Sequence, residues 1–121
     1  MTTRGIRGAI TVDSNTSEDI EIATIELLKG LLTQNNIETE NISHVIFTLT
    51  KDLNAAFPAK FARKNFDWDF VPMMCFNELD IENSLKMCLR VLVVVNSDRK
   101  QNEIKHVYLK GAKALRPDLN N

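Results

Sequence analysis

Hydrophobic and polar positions along the 121-residue chain fall into two periods. "TRGIRGAITV" at 3–12 reads as a strand. Alternation puts Arg4, Ile6, Gly8 and Ile10 on one face and Gly5, Arg7, Ala9 and Thr11 on the other. Arg7 therefore projects between tiny neighbours, which leaves room beside it. At 14–36, "SNTSEDIEIATIELLKGLLTQNN", the period becomes helical, with Ile20, Ala23, Leu27, Leu28 and Leu31 forming one apolar stripe. Thr16 is the expected N-cap, and Glu18 and Asp19 suit the positive end of the helix. "SHVIFTLT" (43–50) predicts a second strand. "FPAKFARKNF" (57–66) predicts a short helix with Pro58 at its first position. "DFVPMMCF" (69–76) predicts a third strand, held to an edge or a bulge by Pro72. "LKMCLRVLVVVNS" (85–97) and "IKHVYLKG" (104–111) predict a fourth and a fifth. "ALRPDLNN" reads as a tail in which Pro117 blocks regular structure.

This inventory predicts an α+β fold: a five-stranded sheet, one long helix and short helical turns, in a single domain over residues 1–121. "HVIF", "FVPMM" and "VLVVV" are apolar on both alternations, as in sheets covered on both faces. One long helix covers one face. The other needs a partner, and a second copy of the same chain is the simplest supply, so a homo-oligomer is expected.

Composition narrows the function. Fifteen Lys and Arg against 16 Asp and Glu give a net charge of -1. A nucleic-acid or membrane-surface binder needs a basic excess, so neither partner is expected. With no apolar core of signal-peptide length at the start and no run of spanning length, a cytoplasmic location is expected. Cys75 and Cys88 are not spaced as a metal-ligand pair, and His44 and His106 stand far apart. No metal, cofactor or nucleophile with an adjacent base is expected.

The oddity is Arg90, set inside the apolar run 89–95, with Glu78 and Asp80 shortly before it. An unpaired guanidinium is expensive to bury. Two readings stand. In one, Arg90 lies near a strand end, reaching solvent or pairing with Glu78 or Asp80. In the other, Arg90 and Arg7 present planar forks of donors to a carboxylate, with the lone Tyr108 as a neutral donor and Glu78 accepting from a hydroxyl.

The ordered set "RGIRGAITV" (4–12), "FPAKFAR" (57–63), "VPMMCFNELD" (71–80), "CLRVLVVV" (88–95), "HVYL" (106–109) and "LRPDL" (115–119) closely resembles the small trimeric chorismate mutases of the Bacillus type, over nearly the whole chain. The resemblance implies a mixed five-stranded sheet, three subunits packing their sheets into a barrel-like core, and active sites between neighbours. It implies conversion of chorismate to prephenate in aromatic amino-acid (Phe and Tyr) biosynthesis. Arg7, Glu78, Arg90 and Tyr108 fall on the main substrate-contacting positions. Met74, Cys75, Phe76 and Asn77 fall beside the substrate, Phe57, Lys60 and Arg63 near the cleft mouth, and Leu115 and Arg116 on a C-terminal lid spanning 115–121. Met74 stands where a threonine is usual, which removes a hydroxyl from the site. Two alternatives remain at this stage. One is a non-catalytic trimeric binder of a cyclic dicarboxylate. The other is a reactive-imine deaminase on a similar trimer, in which "RGIRGA" and "LRPDL" would have no role.

Overall fold

A computed structural model describes residues 1–119 of the chain. The sheet holds β1 (Thr2–Thr11), β2 (Ile42–Leu49), β3 (Met73–Asn77), β4 (Cys88–Ser97) and β5 (Val107–Leu109), in the order β3-β2-β4-β1-β5. β4 runs antiparallel to β1 and β2, while β3 is parallel to β2 and β5 to β1. The sheet is thus mixed, as the resemblance to the trimeric chorismate mutases implies. The long helix α1 (Ser17–Asn35) starts at Thr16, whose side chain accepts from Asp19 N–H at 3.1 Å. It ends at Asn36, in the left-handed region at φ 51. The short helix α2 (Pro58–Asn65) begins on Pro58.

Both helices lie on one face of the sheet. The buried stripe Ile20, Ala23, Leu27, Leu28 and Leu31 meets Ile6, Ile10, Val45, Phe47, Leu89, Val91, Val93 and Val95 in one core. Gly8 permits the approach. A Cβ there would come within 3.0 Å of Leu27 and 3.2 Å of Leu31 and Val91, tight enough that these side chains would have to shift.

Among the described residues, no element covers the opposite face over most of its width. Register aligns Met74, Ile46, Leu92 and Arg7 in one row and Phe76, Thr48, Arg90, Ala9 and Tyr108 in the next. Ile46, Leu92 and Val94 are only half-buried, and Met74 and Phe76 are exposed. The apolar double alternation of the strands therefore does leave one face uncovered within a single chain.

Strand ends differ from the sequence pattern where side chains capture the backbone. β3 begins at Met73 rather than at 69, because Val71 N–H turns back onto Trp68 C=O and buries the indole. Pro72 still serves the ladder through its carbonyl, which accepts from Val45 N–H at 2.9 Å. β3 is an edge strand, where proline is tolerated. β4 begins at Cys88 because the Asp52 carboxylate takes Met87 N–H, with Met87 at φ 52. β5 is only three residues long. Asn35 accepts from Lys105 N–H and donates to Lys105 C=O, each at 2.8 Å, so the approach to the strand is held by a side chain instead of a ladder. Lys110, at φ 53, turns the chain out of β5. The tail is more regular than expected: 3-10 turns run over Lys110–Leu115 and Pro117–Leu119, and Pro117 opens the second instead of preventing it. Gly111 N–H donates to Thr11 Oγ1 at 3.0 Å and ties the first turn to β1.

Candidate active site

Arg90 sits at the centre of the open face, in register with Thr48 on one side and Ala9 on the other. With Arg7, Ile46, Thr48, Glu78 and Leu92 it lines a shallow basin of about 280 Å³. Glu78 follows the last residue of β3, and its N–H donates to Leu49 C=O at 2.9 Å, which swings the carboxylate over the sheet. Its Oε1 accepts from Thr48 Oγ1 at 3.2 Å and lies 2.5 Å from Arg90 Nε. The second contact is an ion pair by distance, although its geometry is not that of a directed hydrogen bond. Asp80, the other acid before the strand, belongs elsewhere: it pairs with Lys51 at 2.6 Å on the surface.

Tyr108 flanks Ala9 from the other side. Neighbouring strands lie about 4.8 Å apart, so the Arg90 and Tyr108 backbones stand roughly 10 Å apart with the buried Ala9 methyl between them. Tyr108 is 3% exposed, covered with Ala9 and Cys88 by Ala112 and Leu115 of the tail and by Leu85. Its hydroxyl is buried, with no hydrogen-bond partner among the described residues. Burial pushes the Cys88 thiol, in the same cluster, up to about 11, against the pull of the Arg90 charge.

The remaining sequence-predicted residues form a second group. Phe57, Cys75, Phe76 and Asn77 line a groove of about 390 Å³ along the β3 edge. Cys75 points to the helix side, opposite Met74 and Phe76, and burial raises its thiol while the nearby Arg63 charge opposes the shift. Phe57 is 71% exposed, and Lys60 and Arg63 are exposed on α2. Arg116 binds Asp118 through Nε and Nη2, at 3.1 and 3.0 Å. One chain thus gathers Arg7, Glu78 and Arg90 in the basin, sets Tyr108 beside it under the tail, and leaves Phe57, Lys60 and Arg63 on a separate rim.

A family model described as chorismate mutase type I matches residues 3–119. The chain belongs to this family. It is 42% identical to chorismate mutase AroH of Bacillus subtilis (strain 168) over 120 residues, covering 99% of this chain and 94% of that one. It is 46% identical to chorismate mutase AroH of Thermus thermophilus over 119 residues, covering 98% and 97%. Among solved structures, a chorismate mutase from Clostridium thermocellum superposes with a TM-score of 0.88 at 49% identity, covering 91% of this chain and 97% of that one.

Three residues of this chorismate mutase family chain enter the site without having been singled out for it by sequence. Thr48 holds the Glu78 carboxylate. Ala9 lies between Arg90 and Tyr108 in register, buried with Tyr108 under the tail, a place foreshadowed only by the small residues around Arg7. His106 accepts Arg7 N–H at Nδ1, at 2.9 Å. Among the described residues, no group of three metal-ligating side chains gathers and no helix is long and apolar enough to cross a membrane.

Proposed function

We propose that this protein is a chorismate mutase that converts chorismate to prephenate, as a homotrimer, in clefts between subunits. The observation that carries the reading is the basin that gathers the Arg7 side chain with the Arg90–Glu78 ion pair, beside a buried Tyr108 hydroxyl that has no hydrogen-bond partner among the described residues. A buried donor left unpaired costs about 1–3 kcal/mol, so the Tyr108 hydroxyl fits a ligand oxygen. A cationic and a neutral donor on strands two spacings apart fit a compact, oxygen-rich anion. The Arg7 guanidinium adds a second planar fork, and Glu78 supplies the acceptor.

The reaction explains why no nucleophile or acid–base pair is needed. In chorismate a C–O bond breaks as a C–C bond forms, in one pericyclic step that moves no proton. The site has two tasks. It selects the folded diaxial conformer, a proximity effect that supplies several kcal/mol. It also stabilises the negative charge that grows on the ether oxygen, an effect aimed at the transition state. Arg90 faces the ether oxygen and one carboxylate. Arg7 and Tyr108 hold carboxylate oxygens, and Glu78 accepts from the ring hydroxyl. The dianion offsets the cost of holding Arg90 inward.

The rim residues complete the cleft from a neighbouring subunit. Phe57, Cys75, Phe76 and Asn77 form a half-site on the β3 edge, separate from the Arg7, Glu78 and Arg90 basin of the same chain. Bringing the two together requires a second copy, and the uncovered apolar face offers the contact. Met74 supplies an apolar wall where a hydroxyl is usual. Lys60 and Arg63 attract the dianion, and Leu115 with Arg116 closes over it as the lid of segment 115–121. Asn120 and Asn121 of that segment lie outside the described residues. No cofactor or metal takes part. The free thiols of Cys75 and Cys88 fit a reducing compartment, and we assign the enzyme to the cytoplasm and to Phe and Tyr biosynthesis.

The test is incubation of purified protein with chorismate, with the product identified as prephenate. Binding without turnover would leave a non-catalytic dicarboxylate binder. Turnover of a small imino acid instead would leave a deaminase.

A further inference from the structure

We propose that His106 is a positioning residue for Arg7: its neutral ring accepts the Arg7 backbone N–H at Nδ1 and fixes the stretch of β1 from which the guanidinium reaches the basin. The inference rests on the mutase reading for its kinetic consequence, but its structural core stands on geometry alone.

The parallel pairing of β1 with β5 runs from Gly8 with Val107 to Ile10 with Leu109. Arg7 lies one residue before that ladder. Its N–H is met by the His106 ring, at 2.9 Å, where a backbone carbonyl would otherwise sit. A backbone N–H can only donate, so Nδ1 carries no proton and Nε2 does. The backbone just before the ring is anchored. Asn35 of α1 is buried and grips both polar groups of Lys105, the residue before the histidine, so α1, β1 and the approach to β5 are joined through two side chains.

The contact is also a proton-sensitive one. Protonation on Nδ1 would set donor against donor at Arg7. The charges acting on the ring are Arg7 from β1 and Arg116 from the tail, both cations, with Lys105 adjacent on its own segment and Asp118 occupied by Arg116. Burial, then these two arginines, hold the ring below its ordinary 6.5. The sign follows: the folded chain binds this proton less readily than the unfolded one, so its stability falls as pH drops below 6.5 toward the depressed folded value. Near pH 7 the acceptor is present and Arg7 is held. In acid the acceptor is lost and the Arg7 N–H is left facing a new like charge, while the β4 ladder still holds the other edge of β1.

Two readouts test this. In the ligand-free protein, ring and amide nitrogen resonances followed from pH 8 to 5 should show an Nε2-protonated ring titrating below 6.5. The Arg7 amide should move with the same midpoint. In kinetics with chorismate, wild-type kcat/KM should fall through that midpoint on the order of tenfold, since small misplacements of a binding group carry penalties of that size. His106→Ala should be lower on the order of tenfold at neutral pH and show no acid step. His106→Asn should rescue the neutral-pH value, because Oδ1 nearly matches Nδ1 in position, and should also show no acid step. An Arg7 amide that does not titrate with the ring, or an acid step surviving in His106→Asn, overturns the proposal. Absence of any chorismate turnover would sink the functional reading, while the resonance titration would still decide the His106–Arg7 link.

Discussion

Replacing Tyr108 with phenylalanine should stabilise the ligand-free protein while weakening its function. The hydroxyl is buried in a residue only 3% exposed and has no partner among the described residues, while the ring packs against Ala9, Cys88, Ala112 and Leu115. Phenylalanine keeps the ring packing and removes the stranded dipole. An unsatisfied buried polar group costs about 1–3 kcal/mol, and the loss of one oxygen's packing returns a small part of that. A net gain of about 1 kcal/mol is expected, which at this chain length raises Tm by about 3 to 5 °C. In the complex the balance reverses. A hydrogen bond from a neutral donor to a charged acceptor contributes about 1.5–3 kcal/mol, so kcat/KM should fall by about tenfold or more, mainly through KM. Thermal unfolding at fixed protomer concentration, with and without product, and steady-state kinetics make the comparison. A Tyr108→Phe protein with lower ligand-free Tm, or with kcat/KM within about twofold of wild type, would refute the claim that this hydroxyl is reserved for substrate.

Other expectations concern the rim, the scaffold and the assembly. Arg63→Ala should raise KM roughly three- to tenfold with kcat close to wild type, because an exposed charge at the cleft mouth steers and binds without touching the breaking bond. Asn35→Ala should lower unfolding free energy by about 1–2 kcal/mol, since it removes two hydrogen bonds to the partly exposed Lys105 backbone, and chemical denaturation will measure it. Activity and trimer content should fall together on dilution in sedimentation experiments; a fully active monomer would remove the shared site.

Local chemistry made most of the fold legible in the sequence. Thr16 caps α1 and Pro58 opens α2 because each acts within a turn of its own position. The uncovered sheet face followed from apolar residues on both alternations of three strands. What escaped depends on contacts distant in sequence. β5 is cut short by Asn35, 70 residues before Lys105, and β4 is delayed by Asp52, 35 residues before Met87. The site shows the same division. That Arg90 would need a nearby acid was legible, but Glu78 and Asp80 were equal candidates until the end of β3 turned one over the sheet and a lysine claimed the other. Ala9 gained meaning only from register, which sets it between Arg90 and Tyr108. His106 carried no signal at all, since a lone histidine in a short strand segment is ordinary.

The central claim is that Arg90 places hydrogen-bonding positive charge at the bond that breaks. Steady-state kinetics of Arg90→Lys, with prephenate formation as the readout and folding checked by circular dichroism, test it most directly. Lysine keeps the charge but loses the planar fork and some reach. Removing one preorganised donor costs on the order of a hundred- to a thousand-fold, roughly 3 to 4 kcal/mol, and the loss should appear mainly in kcat. A well-folded Arg90→Lys trimer that turns over chorismate within about threefold of wild type, far short of such a donor's contribution, would contradict the account.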